Sequence, residues 1–222
     1  MSLDERIVHD ILQKVMSNMQ ISGSESGMHG VFKDMNDAIN ASIEAQKKVC
    51  TMTLDQREQI ISLIRKKTHE NAEILANMGV NETGMGNVGD KILKHHLTAD
   101  KVPGTEDIST IAWSGDRGLT LVEMGPFGVI GAITPATNPS ETVICNCIGM
   151  LAGGNTVVFN PHPNAKKTTI YTINMINEAS IEAGGPDNIA VTVEAPTLDT
   201  SAIMMKHPSI HLLVATGGPG VV

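Results

Sequence analysis

Bond-making chemistry needs a reactive atom, and thiols and imidazoles are the first places to look. The chain has three cysteines: Cys50, Cys145 and Cys147. Thiolate chemistry requires an activated sulfur. Cys145 and Cys147 lie two apart in an apolar stretch, so on a helix they face different directions and read as small buried hydrophobes. The count is odd and fits no disulfide framework, which points to a reducing compartment. His207 and His211 are four apart, but Pro208 denies them a shared helix face, so no zinc site is expected. Four clusters of Gly, Pro and small polar residues are more informative, because each follows a short apolar run. They are Thr134-Pro-Ala-Thr-Asn138-Pro139, Asn160-Pro161-His162-Pro163-Asn164, Glu194-Ala-Pro196 and Thr216-Gly-Gly-Pro-Gly220. Within the first, Asn138 carries a carboxamide N–H suited to a developing oxyanion. Ordinary strand-to-helix loops use the same residue types, so the argument for a site rests on all four converging.

Whether they converge depends on the elements that carry them. The runs 127–134, 156–159, 189–193 and 210–215 read as short buried strands. Between the first two, Ser140 and Glu141 open a helix that stops at Gly153-Gly154. Asn164 can cap the next, through Glu182, which ends at Gly184-Gly185-Pro186. Thr197 opens the third, to about Lys206, before His207-Pro208. A β-α-β-α-β-α-β order with short connections predicts an α/β fold with a mostly parallel sheet and right-handed crossovers. In such sheets ligands bind beyond the carboxyl ends of the strands, where all four clusters would lie. There the 216–220 segment offers backbone N–H groups without side-chain obstruction, suited to a phosphate or to the approach of a nicotinamide.

Upstream, residues 34–50 read as a helix, with Ile39, Ile43 and Val49 on one face. A second helix is expected over 54–79, opened by a Thr53–Gln56 capping box and stopped by Gly79. Gly84-Met-Gly86-Asn-Val-Gly89 matches G-x-G-x-x-G, but a helix precedes it rather than a strand, so it reads as a turn between helices. Residues 108–124 read as a hairpin around 114–118. It is either an arm that pairs with another subunit or a hairpin folded onto its own domain. Residues 2–19 form an amphipathic helix pattern, with Leu3, Ile7, Val8, Ile11, Leu12, Val15 and Met19 on one stripe and a Ser2–Glu5 capping box. The alternatives are an ordinary packed helix and a docking peptide. The Gly/Ser-rich stretch at 21–27 favours the second.

Composition narrows the partners. The 222 residues carry a formal net charge of −8, and only 2% are aromatic. An acidic chain repels a phosphate backbone, and a base-stacking platform needs aromatics, so no nucleic-acid partner is expected. No apolar run reaches membrane-spanning length, and acidic residues interrupt any signal-like N-terminal segment.

Three segments together resemble the aldehyde dehydrogenase superfamily: Met124-Gly-Pro-Phe-Gly-Val-Ile-Gly-Ala-Ile-Thr-Pro-Ala-Thr-Asn-Pro139, Gly154-Asn-Thr-Val-Val-Phe-Asn-Pro-His-Pro163 and Ala215-Thr-Gly-Gly-Pro219. The wording is most similar to the CoA-acylating branch, which oxidises a short-chain aldehyde with NAD and releases an acyl-CoA. The resemblance implies a Rossmann-like sheet and makes Asn138 the oxyanion-hole amide. Thr134, Pro135, Ala136 and Thr137 would lie along the nicotinamide. Asn160, His162 and Pro163 would border the adenosine ribose, where the family usually has Lys and Glu; this departure leaves NAD against NADP open. Thr216, Gly217 and Gly218 would approach the pyrophosphate and nicotinamide. The 108–124 hairpin resembles the family's oligomerisation arm, and residues 1–20 resemble peptides that target members to a bacterial microcompartment shell within the cytoplasm. The implied organisation is a targeting helix at 1–20, a flexible linker at 21–33, and an incomplete cofactor-binding domain at 34–222. The family's catalytic domain and nucleophilic Cys would lie beyond Val222, so this chain alone is expected to be inactive. Two other readings stand beside it: a non-catalytic nucleotide-binding or scaffold protein, and a fragment of a non-acylating aldehyde dehydrogenase.

Overall fold

A computed structural model describes residues 28–218; the expected targeting helix at 1–20 lies outside them. The chain enters through a two-residue strand, β1 (Val31–Phe32), and four helices follow: α1 (Met35–Val49), α2 (Leu54–Glu70), α3 (Ala72–Thr83) and α4 (Val88–Lys101). Their starts are locally encoded. Asp34 accepts from the backbone N–H of Asn36 and Asp37 to open α1, the Thr53–Gln56 capping box opens α2, and Asn87 accepts from Asp90 N to open α4. The helix expected over 54–79 is two helices. The chain departs from helical geometry at Asn71, and Gly79 sits buried inside α3 rather than ending it. The stop is Gly84, with a left-handed φ of 68° that disfavours any side chain. The Gly84–Gly89 motif therefore links two helices, as its context predicts.

After the antiparallel hairpin β2 (Ile111–Gly115) and β3 (Gly118–Val122), strands and helices alternate. They run β4 (Val129–Thr134), α5 (Pro139–Ala152), β5 (Thr156–Pro161), α6 (Lys166–Glu182), β6 (Ala190–Val193), α7 (Leu198–Lys206) and β7 (Ile210–Ala215). The main sheet has the order β1-β6-β5-β4-β7, and every neighbouring pair is parallel. The chain starts this unit at β4, steps outward through β5 to β6, then crosses back to place β7 on the other side of β4. The reversal between β4 and β7 is the topological switch point, where open parallel sheets leave a crevice at the strand ends.

β1 corrects the expected 21–33 linker. Thr192 N donates to Gly30 O and Glu194 N to Phe32 O, both at 2.8 Å, so residues 30–32 are part of the sheet. Gly30 has φ 74°, and a Cβ there would lie 2.3 Å from Asn177 Nδ2. Two residues give no periodicity to read, which is why a strand of this length escapes sequence patterning.

Helices cover both faces of the sheet. On one, α2, α5 and α6 bring Ile60, Ile61, Ile64, Ile144, Ile148 and Ile173 against Val157 and Phe159 of β5. On the other, Met35, Ile39 and Met204 from α1 and α7 pack on Val129, Val158, Val191 and Val193. Consecutive residues of β5 point to opposite layers, and all six are buried. The core is aliphatic, as the composition predicts: Phe159 is the largest fully buried side chain, while Trp113 and Phe127 are exposed. The hairpin is shorter than 108–124: pairing runs from Ile111↔Val122 to Gly115↔Gly118, and every residue of both strands is exposed. Among the described residues, no helix is long and apolar enough to cross a membrane.

Candidate functional site at the sheet switch point

The carboxyl ends of β4, β5 and β7 meet at one edge. Thr216 N donates to Ile133 O and His162 N donates to Thr134 O, each at 3.0 Å. The loops carrying Asn138, His162 and Gly217 thus leave adjacent strands on the same side. Thr134 is buried, with no hydrogen-bond partner for its hydroxyl oxygen. Pro135, Ala136 and Asn138 are half-buried, and Thr137, His162, Pro163, Thr216, Gly217 and Gly218 are exposed. A Cβ at Gly218 would meet nothing within 4 Å, so the approach there is open. The N–H of Thr216 is not free, since it completes the sheet; residues 219–222 lie outside the described residues.

Asn138 ends this loop and begins α5. Its carbonyl accepts from Thr142 N, yet its side chain makes no cap bond to the helix. Pro139 takes the first helical position, where its missing N–H is no loss. Lys94 Nζ of α4 donates instead to Asn138 Oδ1 at 3.0 Å. That bond assigns the amide: oxygen toward Lys94, and Nδ2 left as the donor.

α4 grips the same loop from beneath. Lys91 Nζ donates to Thr137 O and to Glu141 Oε1, both at 2.9 Å. Both side chains of this ion pair are about 95% buried, at 4% and 5% relative exposure. One turn on, His95 contacts Lys91 O through Nδ1 and Ser140 Oγ through Nε2, each at 2.7 Å. Burial pushes the His95 pKa down, so the ring is neutral at pH 7. A carbonyl can only accept, so Nδ1 carries the proton and Ser140 donates to Nε2. A hydroxyl on an imidazole has the outline of an activated nucleophile, but both residues are fully buried and no substrate reaches them. Lys91, Lys94 and His95 escaped the sequence reading, although their i, i+3, i+4 spacing puts them on one helix face. Their partners lie 44 to 50 residues away for Lys94, His95 and the Lys91–Glu141 pair, beyond any local pattern.

Two expectations change. Asn160 was implied as a ribose contact, but both ends of its amide are engaged: Nδ2 donates to Ser201 Oγ and Oδ1 accepts from Thr200 Oγ1. Its side chain fastens β5 to the start of α7. Asn164 does not cap α6; its N–H donates to His162 Nδ1. The cap comes from α3, where Glu82 accepts from Lys167 N at 2.7 Å and Thr168 N at 2.8 Å. A carboxylate already occupies that helix terminus, so a phosphate does not. Of the two thiols read as buried hydrophobes, Cys147 is buried and Cys145 only half-buried. Cys147 is buried in α5 and its pKa is pushed up to about 12, and burial raises Cys145 as well.

The arrangement is a crevice edge of small residues, one oriented carboxamide donor and a buried hydroxyl without a partner. The acetylating acetaldehyde dehydrogenase of Bilophila wadsworthia is 47% identical over 98% of this chain and 46% of its own length. A propionaldehyde dehydrogenase from the Clostridium phytofermentans fucose utilisation bacterial microcompartment superposes with a TM-score of 0.86 at 72% identity, covering 87% of this chain and 45% of that one. A Rhodopseudomonas palustris propionaldehyde dehydrogenase solved with bound propionyl-CoA gives a TM-score of 0.85 at 47% identity, covering 87% of this chain and 43% of that one. The chain therefore spans about half the length of the curated relatives it matches. With the aldehyde dehydrogenase family model matching residues 27–222, the chain belongs to the aldehyde dehydrogenase family.

Proposed function

We propose that this chain is the cofactor-binding part of a CoA-acylating aldehyde dehydrogenase that converts a short-chain aldehyde, NAD and CoA to an acyl-CoA and NADH. The observation that carries the reading is the Asn138 carboxamide, its oxygen held by Lys94 and its Nδ2 left to donate at the switch point. The residues present fit a dinucleotide. At Gly218 the approach is open, since a Cβ there would meet nothing within 4 Å, and the Thr134 hydroxyl lacks a partner among the protein atoms. When bound, the nicotinamide supplies the hydride acceptor. Thr134, Pro135, Ala136 and Thr137 line its side. Thr216, Gly217 and Gly218 approach from β7 and border the pyrophosphate, and His162 and Pro163 border the ribose. Asn160 contributes by holding α7 to β5 rather than by touching the ligand. The Asn138 N–H donates to the aldehyde oxygen as negative charge develops there. The attacking thiolate is supplied from outside this chain: burial raises the Cys145 pKa and pushes Cys147 up to about 12, and Cys50 shares the Gln46 Nε2 donor with Gly154 O at the start of β5, the opposite end of the strand from the crevice.

The exposed hairpin serves as a subunit-pairing arm, and residues 1–20 direct the protein to a microcompartment shell in the cytoplasm. The full-length protein carrying this chain should form NADH only when aldehyde and CoA are both present, and Asn138→Ala should lower kcat by about 100-fold. Equal NADH formation without CoA would favour a non-acylating dehydrogenase. NAD binding with no turnover would favour the scaffold reading. Removing residues 1–20 should leave cofactor affinity unchanged and abolish shell association; persistent association would reject the targeting role.

A further inference from the structure

We infer that Lys94 is a positioning residue for Asn138, and that α4 forms a clamp holding the oxyanion-binding amide in its working orientation. The inference rests on the reading of Asn138 given above. Two independent contacts bracket this residue. On its N-terminal side, the buried Lys91 ammonium is shared between Thr137 O and Glu141 Oε1, tying the peptide before Asn138 to the first turn of α5. On its side chain, Lys94 Nζ donates to Oδ1 at 3.0 Å. The backbone is fixed by one lysine and the amide rotamer by another, three residues apart on the same helix face.

The chemistry explains why a lysine suits the second contact. A carboxamide that lacks a cap bond is free to turn about its terminal torsion, which is broad and roughly two-fold. Half of that range would aim the carbonyl oxygen at the developing oxyanion and repel it. An ammonium has three donors and no acceptor, so it engages only Oδ1 and leaves Nδ2 outward. A neutral amide or hydroxyl at residue 94 could accept as well as donate and would not impose the choice. Lys94 itself touches neither cofactor nor substrate in this role; it acts through Asn138.

The test is a double-mutant cycle in the full-length protein, with Lys94→Met, Asn138→Ala and the pair. Lys94 is exposed, so the methionine variant is expected to fold. Lys94→Met should lower kcat about tenfold while KM for aldehyde and NAD stay within about twofold, and Lys94→Arg should restore most of the rate. In the Asn138→Ala background the Lys94→Met change should have no further effect, because the group it orients is gone. Additive losses, or an unchanged kcat in Lys94→Met alone, would overturn the positioning role. If Asn138→Ala keeps full kcat, or the wild-type protein has no thiol-dependent aldehyde oxidation, the reading of the site fails first, and the two failures are told apart by which variant moves.

Discussion

The sheet and the hairpin arm are both built from short apolar strands, yet burial treats them in opposite ways. All six residues of β5 are buried, while all ten residues of β2 and β3 are exposed. β5 has helices on both faces and a parallel neighbour on each side, so its side chains and backbone groups are satisfied within the chain. The arm has one antiparallel partner and nothing on either face. A two-stranded hairpin is marginal by itself in water. The contrast teaches that apolar strand content does not say where a strand's partner is. In the sheet the partners are in the same chain; the arm, among the described residues, pairs only with itself, and the proposed pairing with another subunit would cover it.

The sharpest way to break the comparison is to remove a large side chain from each region. Phe159 is fully buried between β4 and β6 under α5 and α6. Phe159→Ala should destabilise by about 3–5 kcal/mol, lost transfer energy plus the cavity that remains. Chemical denaturation read by far-ultraviolet circular dichroism measures it. A loss under about 1 kcal/mol would mean that the sheet interior is far looser than its burial implies.

A second prediction uses the buried polar clamp, whose stability should depend on pH. His95 is fully buried and burial lowers its pKa below the ordinary imidazole value of about 6.5. The unfolded chain therefore binds a proton more readily than the folded one. The stabilisation is fully present above about pH 6.5 and is lost as pH falls toward the depressed folded value. Thermal unfolding should show a midpoint that drops from pH 7 to pH 5, and His95→Gln should flatten that drop even if its midpoint is lower throughout. A variant with the wild-type slope would assign the acid sensitivity to carboxylates instead. No comparable dependence is expected from the arm, whose β2–β3 strands between Ile111 and Val122 contain no histidine.

Local signals explain which features were legible in the sequence. The capping box at Thr53 and the helix start at Thr197 stand as read, because each cap and its partner lie within four residues. The strand–helix alternation after residue 127 was visible because each strand fills with apolar residues and each helix ends on Gly or Pro. The convergence of the Asn138, His162 and Gly217 loops followed from topology rather than from any motif. What stayed hidden was set by distance along the chain. Glu82 capping α6, Lys91 pairing with Glu141 and Lys94 orienting Asn138 join residues 44 to 86 positions apart. A lysine on a helix reads as a solvated charge until the loop above it is placed, and Gly79 reads as a stop until α3 is seen to pack its small surface near the Lys91 stem.

The smallest expected effect on folding belongs to the arm, and it carries the largest expected effect on assembly. Register places Ile111, Trp113, Thr120 and Val122 on one face of the hairpin and Ala112, Ser114, Leu119 and Leu121 on the other. Trp113 is 57% exposed and Leu121 59%, so each face presents a large apolar side chain to be covered. Trp113→Ser with Leu121→Ser would remove apolar area from both faces without touching the sheet. At concentrations low enough for the wild type to be dissociated, unfolding free energy should change by no more than about 0.5 kcal/mol, as for surface positions without buried partners. At higher concentration, mass by light scattering should fall below that of the wild type, because association through the arm contributes stability only by mass action. A retained mass would show that the arm is not what holds subunits together. A large loss of unfolding free energy at low concentration would show that the arm folds back onto its own chain, and the contrast between the two regions would then disappear.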